Sequence, residues 1–70
     1  MPVDAKKLGS NIKKLRQQKK LSQEGLAYHA DIRLSNLAKL EGGFNSNPTL
    51  QTLGALANVL TNSSIDQLLR

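Results

Sequence analysis

Apolar residues recur with the spacing of an amphipathic helix from near the start of the chain. Leu8, Ile12 and Leu15 follow one another at intervals of four and three residues, and Ala5 lies one turn earlier. Such positions fall on one face of an α-helix, so they form a single apolar stripe, with the lysines largely outside it. The pattern predicts a first helix from about Asp4 to Lys19.

The remaining apolar positions predict four shorter helices, each bounded by residues that favour helix ends. Thr49 is a predicted N-cap for the fourth helix, and Ser63-x-x-Asp66 has the spacing of a capping box for the fifth. The predicted helices cover about 23–29, about 34–41, the segment that opens at Pro48-Thr49 and stops at Thr61-Asn62, and 64–69. The sequence therefore predicts an all-α fold, with five short helices around one core in a single domain over residues 1–70.

The second and third predicted helices meet at a tight corner. Ala30-Asp31-Ile32 is too short a connection for these helices to lie antiparallel, so they must cross steeply. Ser22 is placed to cap the second helix, and Gly42-Gly43 ends the third because glycine accepts a left-handed C-cap without strain. Steep crossing of this kind is the geometry that allows one helix to enter the major groove of DNA.

Charge is concentrated in the first half of the chain. The net charge is +5, and residues 1–39 contain nine basic and three acidic residues, a net of +6. Residues 40–70 contain one basic and two acidic residues, a net of −1. The basic excess therefore lies on the part that includes the corner, where it favours binding of polyanions such as DNA.

The composition argues against several other classes of function. Without cysteine or clustered carboxylates, the one histidine, His29, is not expected to bind a metal. No pair of nucleophile and base stands out in the sequence, so we expect neither catalysis nor a cofactor. No apolar run reaches membrane-spanning length and no signal peptide is visible, which favours a cytoplasmic protein.

The corner and its flanks resemble the helix-turn-helix of the Cro and phage-repressor family of DNA-binding regulators. Two features carry the resemblance, the string Leu21-Ser22-Gln23-x-x-Leu26-Ala27 and the helix exit Glu41-Gly42-Gly43. The similarity runs from about Leu8 to Leu69, through Gly9, Ile12, Leu15 and Arg16 upstream and Pro48-Thr49-Leu50, Ala57 and residues 65–69 downstream. The resemblance implies a compact repressor-like domain that binds a double-stranded DNA operator and regulates transcription, with its third helix in the major groove.

The resemblance also implies which residues meet DNA. The family's base-contacting positions fall on Arg33, Leu34, Ser35 and Lys39, and its phosphate-contacting positions on Gln23, Asn36, Gly43, Ser46 and Asn47. Gln23 also lies in the first turn of a helix, where its backbone N–H and its side-chain amide are placed to bind phosphate. Ser46 and Asn47 would act through their backbone amides. Leu34 would either pack on a thymine methyl group or fold inward against the core.

Charged residues outside the third helix have two expected roles. Lysines on or just beyond the first helix would add general affinity for phosphate, namely Lys13, Lys14, Lys19 and Lys20. The resemblance further implies an ion pair between Arg16 and Glu41, the alternative being two surface charges of little energetic value. We favour the pair because Glu41 follows Leu40 on the inward side of its helix.

A homodimer on an inverted repeat is expected, because one recognition helix contacts too few base pairs to specify a genomic site. The predicted dimer surface is the C-terminal part of the chain, with Leu60, Ile65, Leu68 and Leu69. This region is nearly uncharged, as suits a surface that meets its own copy.

Two other classes of function stay open at this point. An antitoxin-like subunit with a toxin as its main partner would use Leu34 and Tyr28 as an exposed patch, and would bind DNA to regulate itself. Membrane-surface or RNA binding would use the basic first helix, but its apolar stripe is narrow and the core needs it. The resemblance does not distinguish a phage regulator, a restriction–modification controller and an antitoxin.

Overall fold

The computed structural model describes residues 3–70 and contains five α-helices in that range. They are α1 (Ala5–Gln18), α2 (Gln23–Ala30), α3 (Leu34–Glu41), α4 (Leu50–Leu60) and α5 (Ile65–Leu69). The predicted all-α fold is confirmed, and each helix end lies within one residue of its prediction. Residues 1 and 2, which the predicted domain includes, lie outside the described range. None of these five helices is long and apolar enough to cross a membrane.

Side-chain caps begin three of the helices. Asp4 accepts a hydrogen bond from the Lys7 backbone N–H at 3.1 Å, and Ser22 accepts one from the Gly25 N–H at 2.9 Å. The predicted cap at Thr49 is also present, because its hydroxyl oxygen accepts from a backbone N–H one turn later at 3.1 Å. Each cap satisfies a donor that the first turn of a helix leaves unpaired.

The predicted capping box of α5 is wrong. Ser63 has a φ of 73° and its hydroxyl donates to the side chain of Asn58, so it does not cap the helix. Ser64 is the N-cap residue instead, and its backbone N–H donates to the Thr61 hydroxyl at 3.0 Å. The sequence spacing was suitable, but the left-handed turn after α4 directs Ser63 away from the start of α5.

The corner between α2 and α3 is closed by backbone hydrogen bonds around a left-handed residue. Asp31 has φ 55° and ψ 46°, as the corner requires. Its N–H donates to the Tyr28 carbonyl at 3.2 Å, and the Ile32 N–H donates to the Ala27 carbonyl at 3.0 Å. This is the bonding pattern of a Schellman C-cap, with aspartate in the position that glycine usually holds.

All five helices contribute to one apolar core. α1 packs against α3 and α5, and α2 packs against α3 and α4. The buried side chains are Leu8, Ile12, Leu26, Ala27, Ala30, Leu37, Leu40, Leu53, Leu56, Ala57, Leu60 and Leu68. At Gly9, α1 approaches the backbone of α3 so closely that an added Cβ would lie 2.8 Å from the Glu41 carbonyl oxygen and closer still to that of Leu40. Only glycine allows this contact, which fixes α1 against the end of α3.

Candidate nucleic-acid interface

One face of α3 is buried and the opposite face is exposed. Leu37 and Leu40 lie in the core, whereas the residues that project the other way at helical spacing are exposed. We call this exposed face the α3 stripe; it consists of Leu34, Ser35, Ala38, Lys39 and Gly42. Leu34 is 43% exposed, so it points outward and does not extend the core. Three of the predicted base-contacting residues therefore share one surface.

Arg33 adjoins this stripe as the N-cap residue of α3. It has an extended backbone, and its side chain makes no capping hydrogen bond within the described chain. The guanidinium is thus not committed to the start of the helix, and Arg33 is exposed. Arg33 stands at the end of the stripe that begins with Leu34.

Ala38 is a surface residue that the sequence did not single out. It lies between Ser35 and Lys39 on the exposed side of α3. A methyl side chain there allows the helix backbone to approach a bound molecule closely. The signal was present in the sequence, because Ala38 follows the buried Leu37 and precedes Lys39 on the polar side.

Glu41 holds three helices together at the inner end of this surface. Its carboxylate accepts hydrogen bonds from Arg16 Nε at 2.6 Å and from Arg16 Nη2 at 3.0 Å. The Gln23 side-chain amide donates to the same carboxylate at 3.1 Å. We call Arg16, Gln23 and Glu41 the Glu41 clamp. It joins α1, the first turn of α2 and the last turn of α3.

The ion pair inside the Glu41 clamp is largely removed from water. The side chains of Arg16 and Glu41 are 11% and 3% exposed. Arg16 also donates from Nη1 to the Leu21 carbonyl at 2.8 Å, just before α2 begins. Hydrogen bonding to Glu41 raises the pKa of the Arg16 guanidinium above its ordinary value despite its burial. The Arg16 guanidinium therefore stays charged at neutral pH, and the two side chains are not independent surface charges.

The Glu41 clamp changes the expected role of Gln23. Its side-chain amide bonds to Glu41, so the side chain positions α2 relative to α3. The backbone N–H groups of Gln23 and Glu24 still lie in the first turn of α2, where helix N–H groups project along the axis. The side chain therefore positions the two helices, and these backbone N–H groups are the donors that stay predicted to bind phosphate.

The loop after α3 turns sharply and carries its own hydrogen bonds. Gly43 has a φ of 80°, which an L-residue with a side chain rarely adopts. The Asn47 backbone N–H donates to the Asn45 side-chain oxygen at 2.9 Å. An Asx turn therefore pairs this amide within the loop, and its use as a phosphate donor stays a prediction. The Ser46 carbonyl accepts from the Val3 N–H at 2.7 Å, which ties the loop to the start of α1.

The four lysines predicted to bind phosphate do not form one surface. Lys13 follows Gly9 by four residues and precedes Arg16 by three, so it lies on the side of α1 that faces α3. Lys14 instead lines a groove with Gln67 and Arg70 beside α5. Lys19 lines a third surface, next to His29 of α2 and Val59 of α4, and Lys20 is exposed beyond the end of α1.

Lys6 is a basic residue that the predicted site did not include. A Cβ placed on Gly43 would lie 3.3 Å from Lys6 Cγ, so this side chain runs beside the loop that follows α3. Lys6 and Lys13 are seven residues apart on α1, which places them on the same side of the helix. Lys6 therefore flanks the end of α3, and Lys13 lies on the same side of α1.

The C-terminal surface differs from its prediction in two residues. Leu60 is 5% exposed and Leu68 is completely buried, because both pack in the domain's own core. Their predicted place in a dimer interface is therefore wrong. Ile65 and Leu69 are half-buried and line an apolar groove of about 220 Å³. We call this the neutral groove, formed by Val3, Pro48, Leu50, Leu53, Ile65 and Leu69.

Comparisons with known proteins place this fold in a family. The sequence model of a helix-turn-helix domain matches residues 9–70, and a search of curated proteins finds no match. Among solved structures, the restriction–modification controller protein C.AhdI from Aeromonas hydrophila is similar with a TM-score of 0.84 and 32% identity. That alignment covers 93% of this chain and 96% of that one. SinR, a master regulator for biofilm formation solved in complex with DNA, has a TM-score of 0.83 and 33% identity over 90% of this chain and 98% of its own.

The same fold also occurs as part of a larger protein. Hydroxypropylphosphonic acid epoxidase from S. wedmorenis aligns with all of this chain at 27% identity and a TM-score of 0.83, but the match covers 36% of that enzyme. The two regulators match nearly end to end. The chain belongs to the helix-turn-helix domain family, among the DNA-binding transcription regulators of the Cro and phage-repressor type.

Proposed function

We propose that this protein binds duplex DNA in a sequence-specific manner and regulates transcription by occupying an operator, with α3 in the major groove. The observation that carries the proposal is the Glu41 clamp. It fixes the first turn of α2 beside α3 while the α3 stripe stays exposed. A helix-turn-helix needs this arrangement, because one helix rests on the DNA backbone while the other reads the bases.

The chemistry of the α3 stripe suits base edges in the major groove. Lys39 and the adjoining Arg33 provide donors for the O6 and N7 atoms of guanine. Ser35 is able to donate or accept, and exposed Leu34 offers an apolar surface to a thymine methyl group. Ala38 allows the helix backbone to come near the bases between them.

Phosphate contacts are proposed on both sides of α3. On one side lie the first-turn N–H groups of α2, at Gln23. On the other side lie Lys6 and Lys13 of α1, with Gly43 and Ser46 in the loop. Asn36, half-buried on α3, completes the set. Lys14, Lys19 and Lys20 contribute through long-range attraction rather than by direct contact.

We further propose a homodimer formed through the neutral groove. Leu50 at its edge is 73% exposed, and Leu69 and Ile65 continue the apolar surface. None of the six lining residues is charged, so two copies meet without repulsion. The surface is small, and we expect a weak dimer that is completed on DNA, with two α3 helices about 34 Å apart.

Binding titrations against three kinds of ligand test the proposed function. We expect tight, salt-dependent binding to duplex DNA, and weaker binding to single-stranded RNA of the same length and to anionic vesicles. Equal affinity for duplex, RNA and vesicles would indicate a nonspecific cationic protein and contradict the proposal.

The dimer is tested by measuring mass in solution with and without an operator duplex. Wild type is expected to bind as two copies, and Leu69→Glu to bind more weakly and as single copies, because it places charge in the neutral groove. Binding of wild type as one copy, with an affinity unchanged by Leu69→Glu, would refute the dimer. It would leave duplex binding itself intact.

A further inference from the structure

Phe44 is the one phenylalanine of the chain, and its side chain is 82% exposed. Single exposed apolar residues are common on protein surfaces and need no special function. The position of this ring, however, is defined by its surroundings. Its backbone N–H donates to the Lys39 carbonyl at 3.0 Å, which holds Phe44 close to the end of α3.

The ring rests on the α3 stripe itself. A Cβ built on Gly42 would lie 2.8 Å from both Cδ2 and Cε2 of Phe44. Gly42 has a φ of −76°, which any residue adopts, so its backbone conformation does not require glycine. The missing side chain instead leaves space for the Phe44 ring. Phe44 thereby extends the surface formed by Ser35, Ala38 and Lys39.

The segment of the sequence that carries this ring is uncharged. Residues 42–49 are all neutral, whereas α1 provides lysines nearby. Gly42 lies eight residues after Leu34, a distance of about 12 Å along the helix axis. This distance is comparable to the width of the major groove, which is about 12 Å. When the beginning of α3 meets the bases, a side chain at its far end is therefore close to the groove wall.

We propose that Phe44 packs against deoxyribose carbons of the DNA backbone and anchors the end of α3 without using charge. The contact rests on the proposed function, since it needs α3 in the major groove. Deoxyribose offers apolar C–H groups at every nucleotide, so the contact is independent of base sequence. Because no phosphate is neutralised by the ring, the contact is also independent of salt.

The test compares Phe44→Ala with Tyr28→Ala by titration of a random-sequence duplex and of the best duplex selected from a random library. Tyr28 is also 82% exposed but lies on α2, outside the α3 stripe, so it is a matched control. Phe44→Ala is expected to weaken binding to both duplexes by about tenfold, as expected for partial burial of a phenyl ring. The slope of affinity against salt should not change, and Tyr28→Ala should bind like wild type.

Two further variants sharpen the test. Phe44→Leu keeps part of the apolar surface, so its affinity is expected between those of wild type and Phe44→Ala. Phe44→Lys exchanges the apolar contact for a charge and should steepen the salt slope by about 0.9. Thermal unfolding should be nearly the same for all variants, because the ring is exposed in the free protein.

The possible failures are distinguishable. If wild type binds duplex and Phe44→Ala binds equally well, the sugar contact is refuted while the proposed function stands. A loss confined to the selected duplex would show that Phe44 touches a base, and would also refute the backbone contact. If wild type binds no duplex, both proposals fail together.

Discussion

The two halves of this small domain differ in net charge and in the kind of contact that holds their helices together. Residues 1–39 carry a net charge of +6 and include α1, α2 and all but the last two residues of α3, whereas residues 40–70 carry a net charge of −1. α1, α2 and α3 are joined by the polar Glu41 clamp and by a backbone contact at Gly9. α4 and α5 are held mainly by apolar packing, in which leucines predominate, together with a hydrogen bond from the Asn11 amide of α1 to the Leu68 carbonyl at 2.9 Å. The comparison teaches that the surface proposed to read DNA and the surface proposed to meet a second copy are separate and differ in charge.

The difference has a physical reason. Polar bonds fix the angle between two helices more tightly than apolar contacts do, because they require particular distances and directions. The surface proposed to meet DNA needs a fixed angle between α2 and α3. Apolar packing tolerates changes of side chain more readily, which suits the C-terminal surface that is proposed to meet a second copy.

The largest expected effect comes from breaking the Glu41 clamp. Arg16→Met or Glu41→Leu alone leaves a charge in a site that is largely closed to water, and should cost about 3–5 kcal/mol of unfolding free energy. The double variant is expected to lose less unfolding free energy than the sum of the losses of the two single variants. Chemical denaturation of all four proteins measures the coupling, and a coupling energy near zero would show that the pair acts as independent charges.

Next in size is the contact at Gly9. Gly9→Ala places a Cβ against the backbone carbonyls of α3, which cannot move aside as a side chain can, and should cost about 3 kcal/mol. Gly54→Ala is the control, because a Cβ there meets no other atom of residues 3–70 within 4 Å. That control should gain about 0.5–1 kcal/mol from its higher helix propensity. Equal stability changes in the two variants would argue against close α1–α3 packing.

Lys39 tests whether the α3 stripe reads bases. Lys39→Ala should lose about 1–3 kcal/mol of binding free energy on the preferred duplex and relax specificity at one base position. Binding to a random duplex should weaken much less. Equal losses on the two duplexes would reduce Lys39 to a phosphate contact.

The smallest expected effect separates two neighbouring lysines. Lys13→Ala and Lys14→Ala remove the same charge from adjacent positions of α1, but only Lys13 lies on the side that faces α3. Lys13→Ala should reduce the salt slope by about 0.9 and weaken binding a few-fold. Lys14→Ala should change the slope little, and identical slopes for both variants would contradict this placement of α1.

Helical periodicity was sufficient to predict the five helices, and the family resemblance gave the repressor-like arrangement. Leu8 and Ile12 repeat with the helix, and Asp31 marks the corner, so the elements and their connection followed from local pattern. The burial of Leu60 and Leu68 did not follow from this pattern. A leucine on an apolar face must be covered, but the pattern alone does not show whether the domain's own core or a second copy covers it.

Contacts between residues that are distant in the sequence also could not be predicted from the local pattern. Gln23 and Glu41 are 18 residues apart, and their hydrogen bond depends on how α2 and α3 cross. Lys13 and Lys14 are adjacent, but successive residues point about 100° apart around a helix and meet different neighbours. The ring of Phe44 on Gly42 likewise depends on the turn at Gly43.

Selection of bound sites from a random duplex library tests the proposed function of the domain most directly. If α3 reads bases and the neutral groove joins two copies, wild type should enrich an inverted repeat with half-site centres about 10–10.5 base pairs apart. The same selection with Lys39→Ala should relax one position in each half-site. Enrichment of no shared sequence, or of a single unrepeated site, would contradict a dimer that reads DNA through α3.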